Sequence, residues 1–130
     1  ATKRKRYRIQ STRVTPYVEY IPQDSFLKIT GRSSPASSFD FYQPIINTIK
    51  RHHPTKNEFI AEFRMEYFNT SSSKCIYDIF KELANYKKQG IDIQVHWYYE
   101  DTDEDMLETG EDFEYASGLQ FNYFPYVPED

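Results

Sequence analysis

The sequence predicts an α/β domain, with a mixed, mostly parallel five-stranded sheet, an N-terminal hairpin and three helices. Stretches with an apolar residue at every second position alternate along the chain with stretches that have apolar residues at helical spacing. Strands that alternate with helices are joined by right-handed crossovers, which makes the joined strands parallel. The length of 130 residues, with twelve Tyr and ten Phe, is enough for one domain with its own core.

The first predicted elements are a hairpin over residues 17–31 and a helix after it. The hairpin consists of YVEYI and FLKITG, two alternating runs separated by the turn-forming PQDS. The helix has apolar residues at intervals of four, at Phe41, Ile45 and Ile49. Pro44 falls within this pattern, so either the helix begins near Tyr42 or Pro44 kinks a longer helix.

The next segment, residues 57–68, alternates as a strand does. The apolar residues predicted to share one face are Phe59, Ala61, Phe63, Met65 and Tyr67. Ile60 and Phe68 interrupt the polar side of this pattern, so we expect a strand that is partly covered on both faces.

The remaining elements complete the alternation of helices and strands. Residues 71–88 are predicted to form a helix, because Ile76, Ile79, Phe80 and Leu83 follow helical spacing and Gly90 stands where a helix should end. A strand over residues 91–99, an acidic helix over 103–117 and a strand over 119–124 follow. The helices are expected to cover the sheet.

The charge distribution divides the chain into a basic N-terminal arm, residues 1–14, and an acidic domain, residues 15–130. The arm could contact nucleic acid through its arginines and lysines, but no base-reading element accompanies it, so we expect a tail or a short edge strand around Tyr7 and Ile9. One cysteine, no secretory leader pattern and no long apolar run predict a cytoplasmic protein without a membrane segment.

Catalytic and metal chemistry find little support in the sequence. Cys75 lies near a predicted helix start but beside apolar residues, which favours a packed thiol over a reactive one. Asp101, Asp103 and Asp105 begin like a calcium loop, yet Met106 stands where that loop needs glycine and Asp112 where it needs glutamate. His52, His53 and His96 have no metal-ligand spacing. We therefore predict a protein that is not an enzyme and has no cofactor.

The segment NTSSSK, residues 69–74, places several hydroxyl groups at the start of the second predicted helix. A cap explains one of them, since Asn, Thr and Ser accept a hydrogen bond from a free backbone N–H. A phosphorylation site is the alternative, because the N-terminus of a helix tolerates the charge of about −1.5 to −2 that a phosphate adds. A partner packed on that helix end would then be displaced.

Several long motifs lie between about Thr15 and Tyr126, namely TPYVEY, ITGRSSP, FYQP, MEYFNTSSSKC, WYYEDTDEDMLETGEDF and FNYF. Together they resemble those of the SiaC family of bacterial regulatory phosphoproteins. The resemblance implies a non-enzymatic domain similar to the STAS anti-sigma factor antagonists. It also implies that a dedicated kinase phosphorylates the threonine of NTSSSK and a PP2C-type phosphatase removes the phosphate. In the best known member the unphosphorylated form binds and activates a diguanylate cyclase.

Carried onto this chain, the resemblance assigns Thr70 as the phosphoacceptor. The surrounding partner-binding surface would consist of Asn69, Ser71, Ser72, Ser73 and Lys74. The expected function is that of a regulator whose binding to a diguanylate cyclase or similar signalling enzyme is switched by phosphorylation of Thr70. The alternative is a STAS-type anti-sigma factor antagonist in a partner-switching pathway, which would share the switch but release a transcription factor.

Overall fold

The computed structural model describes residues 5–129, which form six strands and three helices, with strands and helices alternating from the third strand onward. The strands are β1 (Tyr7–Ile9), β2 (Tyr17–Ile21), β3 (Phe26–Ser33), β4 (Glu58–Phe68), β5 (Asp92–Glu100) and β6 (Gln120–Tyr126). The helices are α1 (Ser38–Arg51), α2 (Thr70–Lys88) and α3 (Glu104–Ser117). A short 3-10 turn, Pro22–Asp24, joins the strands of the predicted hairpin.

The sheet has the order β1-β2-β3-β4-β5-β6, so every strand pairs with its neighbour in sequence. The pairs β1/β2 and β2/β3 are antiparallel, and the three pairs from β3 to β6 are parallel. The mixed, mostly parallel sheet predicted from the sequence is thereby confirmed, with one strand more than expected. The additional strand, β1, has only three residues and lies within the basic arm, of which residues 1–4 fall outside the described chain.

Right-handed crossovers between strands that are adjacent in sequence order place all three helices on one face of the sheet. The strand side chains on that face are buried, among them Leu27, Phe63, Val95 and Trp97. On the opposite face Ile60 remains 39 % exposed. The helices therefore cover only one face of the sheet. The prediction that β4 is partly covered on both faces is wrong.

The open face stays hydrophilic through a row of alternating charges across the strands. In register, Arg8 of β1 faces Glu19, Glu19 faces Lys28, and Lys28 faces Glu62. The Lys28 and Glu62 side chains lie 3.8 Å apart. Cross-strand pairs of opposite charge stabilise a sheet modestly, and here they also keep its uncovered face compatible with water.

β4 contains a β-bulge near its carboxyl end. Because of this bulge, two residues lie on the opposite faces of the sheet from those predicted. Gly31 pairs with Met65 but Arg32 pairs with Tyr67, so β4 contains one extra residue there. Such an insertion reverses the alternation of side chains beyond it. As a result, Phe68 packs against Trp97 and Phe113 on the helix side, whereas Tyr67, predicted to be in the core, is 44 % exposed.

The other predicted elements agree with the structure to within a few residues. Pro44 lies inside α1, so the longer of the two predicted helices is the one that forms. Met106 and Phe113 of α3 are buried. In the described part of the chain, no helix combines the length and the apolar character needed to cross a membrane.

Candidate functional site

The candidate site lies at the carboxyl edge of the sheet, where the helices begin. Because β3, β4 and β5 are parallel and each leads into a helix, the N-termini of α1, α2 and α3 share this edge. α2 follows β4 after a single residue, Asn69. The backbone N–H of Asn69 donates to the carbonyl of Ser33 at the end of β3, over 3.0 Å. This bond fixes the start of α2 against the sheet.

Asn69 is the residue that caps α2. Its side-chain oxygen accepts a hydrogen bond from the backbone N–H of Ser72 over 2.9 Å, and its carbonyl accepts one from Ser73. Thr70 is the first residue of the helix itself, one position earlier than the sequence predicted. The cap therefore needs none of the four hydroxyl groups that follow.

Ser72 belongs to a buried hydroxyl cluster that joins α2 to β3 and α1. Its side chain is 0 % exposed and accepts a hydrogen bond from the Ser33 hydroxyl over 2.8 Å. The Ser38 hydroxyl lies 3.0 Å from it, and the Tyr42 hydroxyl lies 2.7 Å from that of Ser33. Burial raises the pKa of Tyr42 to about 12, with a hydrogen bond to Ser33 opposing the shift, so the cluster is uncharged at neutral pH.

The inclusion of Ser72 in the partner-binding surface does not agree with this geometry. A side chain that is wholly buried cannot contact a docked partner, and its hydrogen bonds hold three elements together instead. The sequence contains a signal for this role, since serines also stand at the end of β3 and the start of α1.

The remaining hydroxyl groups differ in their surroundings. Ser71 is exposed and its hydroxyl lies 2.8 Å from that of Ser38. Ser73 is half-buried. Thr70 is exposed, and no other described residue forms a hydrogen bond with its hydroxyl. Lys74, also exposed, lies four residues after Thr70, which places both on the same side of the helix.

The electrostatic setting of the first turn of α2 favours an added anion. The turn contains no acidic residue, in contrast to the first turn of α3 with Glu104 and Asp105. The positive end of the helix dipole and the cation of Lys74 both attract negative charge. Among the sites predicted from the sequence, Thr70 is the hydroxyl that combines exposure, freedom from internal hydrogen bonds and such a setting.

Cys75 has the environment of a packed thiol. It is buried, and burial raises the pKa of its thiol, with Asp78 adding to the shift and Lys74 opposing it. A raised pKa keeps the thiol protonated, and the protonated form is a poor nucleophile. The described residues also contain no group of three or more His, Cys, Asp or Glu side chains that could hold a metal ion.

Substitutions at Asn69 and Thr70 should separate the cap from the neighbouring hydroxyl. We expect Asn69→Ala to lower the free energy of unfolding by about 1 kcal/mol, because one backbone N–H of α2 loses its acceptor. Thr70→Ala should change it by less than about 0.5 kcal/mol, the usual range for an exposed position. Urea denaturation followed by tryptophan fluorescence measures both. Equal losses in the two variants would contradict the assignment of the cap.

One family model matches most of this chain, and one curated protein is similar to it. The family model described as SiaC family regulatory phosphoprotein matches residues 9–126. An uncharacterized protein from Pseudomonas aeruginosa strain UCBPP-PA14 is 27 % identical over 106 residues, which cover 81 % of this chain and 84 % of that protein.

Two solved structures share the fold. The structure of apo-SiaC from Pseudomonas aeruginosa superimposes with a TM-score of 0.82 and 24 % identity, covering 92 % of this chain and 98 % of that one. A structure of the diguanylate cyclase SiaD in complex with its activator SiaC, from the same organism, gives a TM-score of 0.84 and 25 % identity, with 92 % and 99 % covered.

Proposed function

Since the chain belongs to the SiaC family of regulatory phosphoproteins, we propose that it binds a signalling enzyme and that phosphorylation of Thr70 controls this binding. The observation that carries the proposal is the exposure of the Thr70 hydroxyl at the start of α2, beside hydroxyls that serve the fold. A kinase can reach this hydroxyl without breaking a hydrogen bond to another described residue.

Phosphorylation at Thr70 would change the surface and leave the fold intact. The phosphate adds a charge of about −1.5 to −2 at neutral pH. The free N–H groups at the start of α2 and the ammonium group of Lys74 accommodate that charge. Meanwhile the Asn69 backbone N–H, which donates to the Ser33 carbonyl, and the Ser72 hydroxyl, which accepts from the Ser33 hydroxyl, keep the helix fixed to β3.

The charge would act on whatever packs against the start of α2. The contact surface consists of Thr70 with the accessible parts of Asn69, Ser71, Ser73 and Lys74. A partner that covers this surface in the unphosphorylated state removes it from water. Covering a phosphate costs far more, because a charged group taken out of water must regain its hydrogen bonds from the partner. The phosphorylated form is therefore the released form.

A diguanylate cyclase is the kind of partner that the comparisons favour, since SiaC of Pseudomonas aeruginosa is the activator of the cyclase SiaD. By the same family resemblance, a dedicated protein kinase adds the phosphate and a PP2C-type phosphatase removes it. The chain itself is then a regulator without catalytic activity. This role agrees with the buried thiol of Cys75, whose raised pKa makes it unsuited to nucleophilic catalysis.

The decisive measurement compares partner binding before and after phosphorylation. The protein is co-expressed with the kinase encoded nearest to its gene, and intact mass with peptide mapping locates the phosphate. Calorimetric titration with the nearest encoded diguanylate cyclase is then expected to show binding at least about tenfold weaker for the phosphorylated form. Thr70→Ala should bind like the unphosphorylated protein, because it adds no charge.

Two matched variants sharpen this test. Thr70→Glu should weaken binding less than the phosphate does, because one carboxylate carries about half its charge. Asn85→Glu, at an exposed position near the far end of α2 and outside that surface, is the control for added charge elsewhere and should bind like the unphosphorylated protein. Equal affinity of the bare and phosphorylated proteins would refute the switch. Binding to an anti-sigma kinase in place of the cyclase would support the STAS-type alternative.

A further inference from the structure

Phe39 is a large apolar side chain that the fold leaves in the solvent. It is the second residue of α1, and 65 % of it is exposed. Phe41, two residues later, packs its ring against that of Tyr42 with the centroids 4.9 Å apart. Phe39 makes no such ring contact with another described residue. The fold therefore gains little from the Phe39 ring, since an apolar group stabilises a protein by leaving water.

Phe39 lies beside the first turn of α2. The hydroxyl of Ser38, the residue before it, is 2.8 Å from the hydroxyl of Ser71 and 3.0 Å from that of Ser72. Successive Cα atoms are only about 3.8 Å apart, so Phe39 is next to this contact between the two helices. It therefore borders the surface around Thr70 to which the partner is proposed to bind.

Helical spacing places Phe39 on the side of α1 that faces α2. Residues three or four apart share one side of a helix, which groups Phe39 with Gln43 and Ile46. Gln43 and Ile46 line a groove together with Asp78 and Glu82 of α2. Phe39 lies one turn beyond this groove, at the carboxyl edge of the sheet. Its ring thus belongs to the outer surface that the two helices form together.

The surface around Thr70 otherwise lacks an apolar contact. Its other members, Asn69, Ser71, Ser73 and Lys74, are polar or charged. Polar groups exchange hydrogen bonds with water for hydrogen bonds with a partner, so their net contribution to binding is small. In protein interfaces a few buried side chains, aromatic ones prominent among them, carry most of the binding energy. Phe39 is a side chain of this kind at the border of that surface.

We propose that Phe39 is the hydrophobic anchor of the partner-binding surface, and that its phenyl ring enters an apolar pocket of the signalling enzyme that covers the start of α2. The identity of the partner rests on the proposed function, and the anchor adds the residue that gives the contact its affinity. The matching surface of the partner has an apolar pocket, with hydrogen-bonding groups beside it for the serines of α2.

Calorimetric titration of the unphosphorylated protein with the nearest encoded diguanylate cyclase tests the anchor. Phe39→Ala should weaken binding at least about tenfold, as expected for an aromatic anchor. Phe39→Tyr keeps the ring and adds one hydroxyl, which an apolar pocket would leave without a hydrogen bond, so it should also weaken binding. Circular dichroism should show both variants folded, because the position is exposed.

Tyr115→Ala is the matched control. It removes a ring that is 93 % exposed from the last turn of α3, at the opposite edge of the sheet, and should leave the affinity unchanged. Exposed apolar side chains are common, so this control separates the position of Phe39 from exposure alone. Unchanged affinity in both Phe39 variants, or an equal loss in Tyr115→Ala, would overturn the proposal.

The anchor and the phosphorylation switch can fail separately. If phosphorylation weakens binding but Phe39→Ala binds like the parent protein, the anchor is wrong and the switch stands. If Phe39→Ala binds more weakly but phosphorylation has no effect, the anchor stands and the switch is wrong. An unphosphorylated protein that does not bind the cyclase would contradict both.

Discussion

Replacing Gly110 by alanine is expected to lower the free energy of unfolding by about 2 kcal/mol, the middle of the range for overpacking a core. A methyl group at this position would lie 2.6 Å from the Nε1 atom of Trp97 and 2.7 Å from its Cδ1 atom. Trp97 is 1 % exposed and its indole N–H donates to the carbonyl of Met106 over 3.0 Å. The ring therefore cannot move aside without breaking that bond or displacing α3.

Whether Gly110→Ala lowers or raises the free energy of unfolding shows whether packing or helix propensity has the larger effect at this position. Gly110 lies within α3, and alanine is more favourable than glycine inside a helix by about 1 kcal/mol. Propensity alone thus predicts a more stable variant, and packing predicts a less stable one. Urea denaturation measured by circular dichroism decides between them. Glu111→Ala, at the next and exposed position, is the control and should leave stability nearly unchanged. A stabilised Gly110→Ala variant would show that α3 does not rest on Trp97.

Ser72→Ala is expected to cost a similar amount, about 2 kcal/mol, for a different reason. The substitution removes the oxygen that accepts the hydrogen bond of Ser33 and that lies 3.0 Å from the hydroxyl of Ser38. Both partners are buried and lie where water does not replace the lost contact. The loss of stability should therefore exceed the loss from removing an exposed hydroxyl. The contacts between β3, α1 and α2 should be the ones that weaken.

Ser73→Ala is the matched control for the buried serine. It removes the same group one residue later, from a half-buried position, and should change stability by less than about 0.5 kcal/mol. Hydrogen exchange adds a local readout, since amide protons at the start of α2 should exchange faster in Ser72→Ala. If Ser72→Ala were as stable as Ser73→Ala, the hydroxyl cluster would not be what holds the helix to the sheet.

The run of hydroxyls at the start of α2 thus has several purposes. The cap is provided by Asn69, and the fixation of the helix by Ser72. Ser71 supports the same junction through Ser38. Thr70 takes part in none of these contacts, which leaves it free for the proposed modification. The proposed phosphorylation of Thr70 would therefore change the surface that a partner contacts, while Asn69 and Ser72 keep α2 folded and in place.

The amino-acid sequence by itself determined the fold class, the order of the helices and strands, and the segment that contains the candidate site. Hydrophobic periodicity is a local property, so the strand over residues 57–68 and the helix after it could be recognised without knowledge of their neighbours. The assignment of Thr70 as phosphoacceptor is what the resemblance of the NTSSSK segment to the SiaC family implies. The family model and the solved structures confirm the family and the fold.

Only the tertiary structure decided which side chains of those segments are buried. Tyr67 and Phe68 exchange faces because β4 gains one residue relative to β3, and a bulge depends on both strands. Ser72 is buried because Ser33 and Ser38, distant in sequence, come within hydrogen-bond distance of it. The need for glycine at position 110 arises from Trp97 on another element. Each of these features depends on contacts between remote parts of the chain, which the periodicity of a single segment does not record.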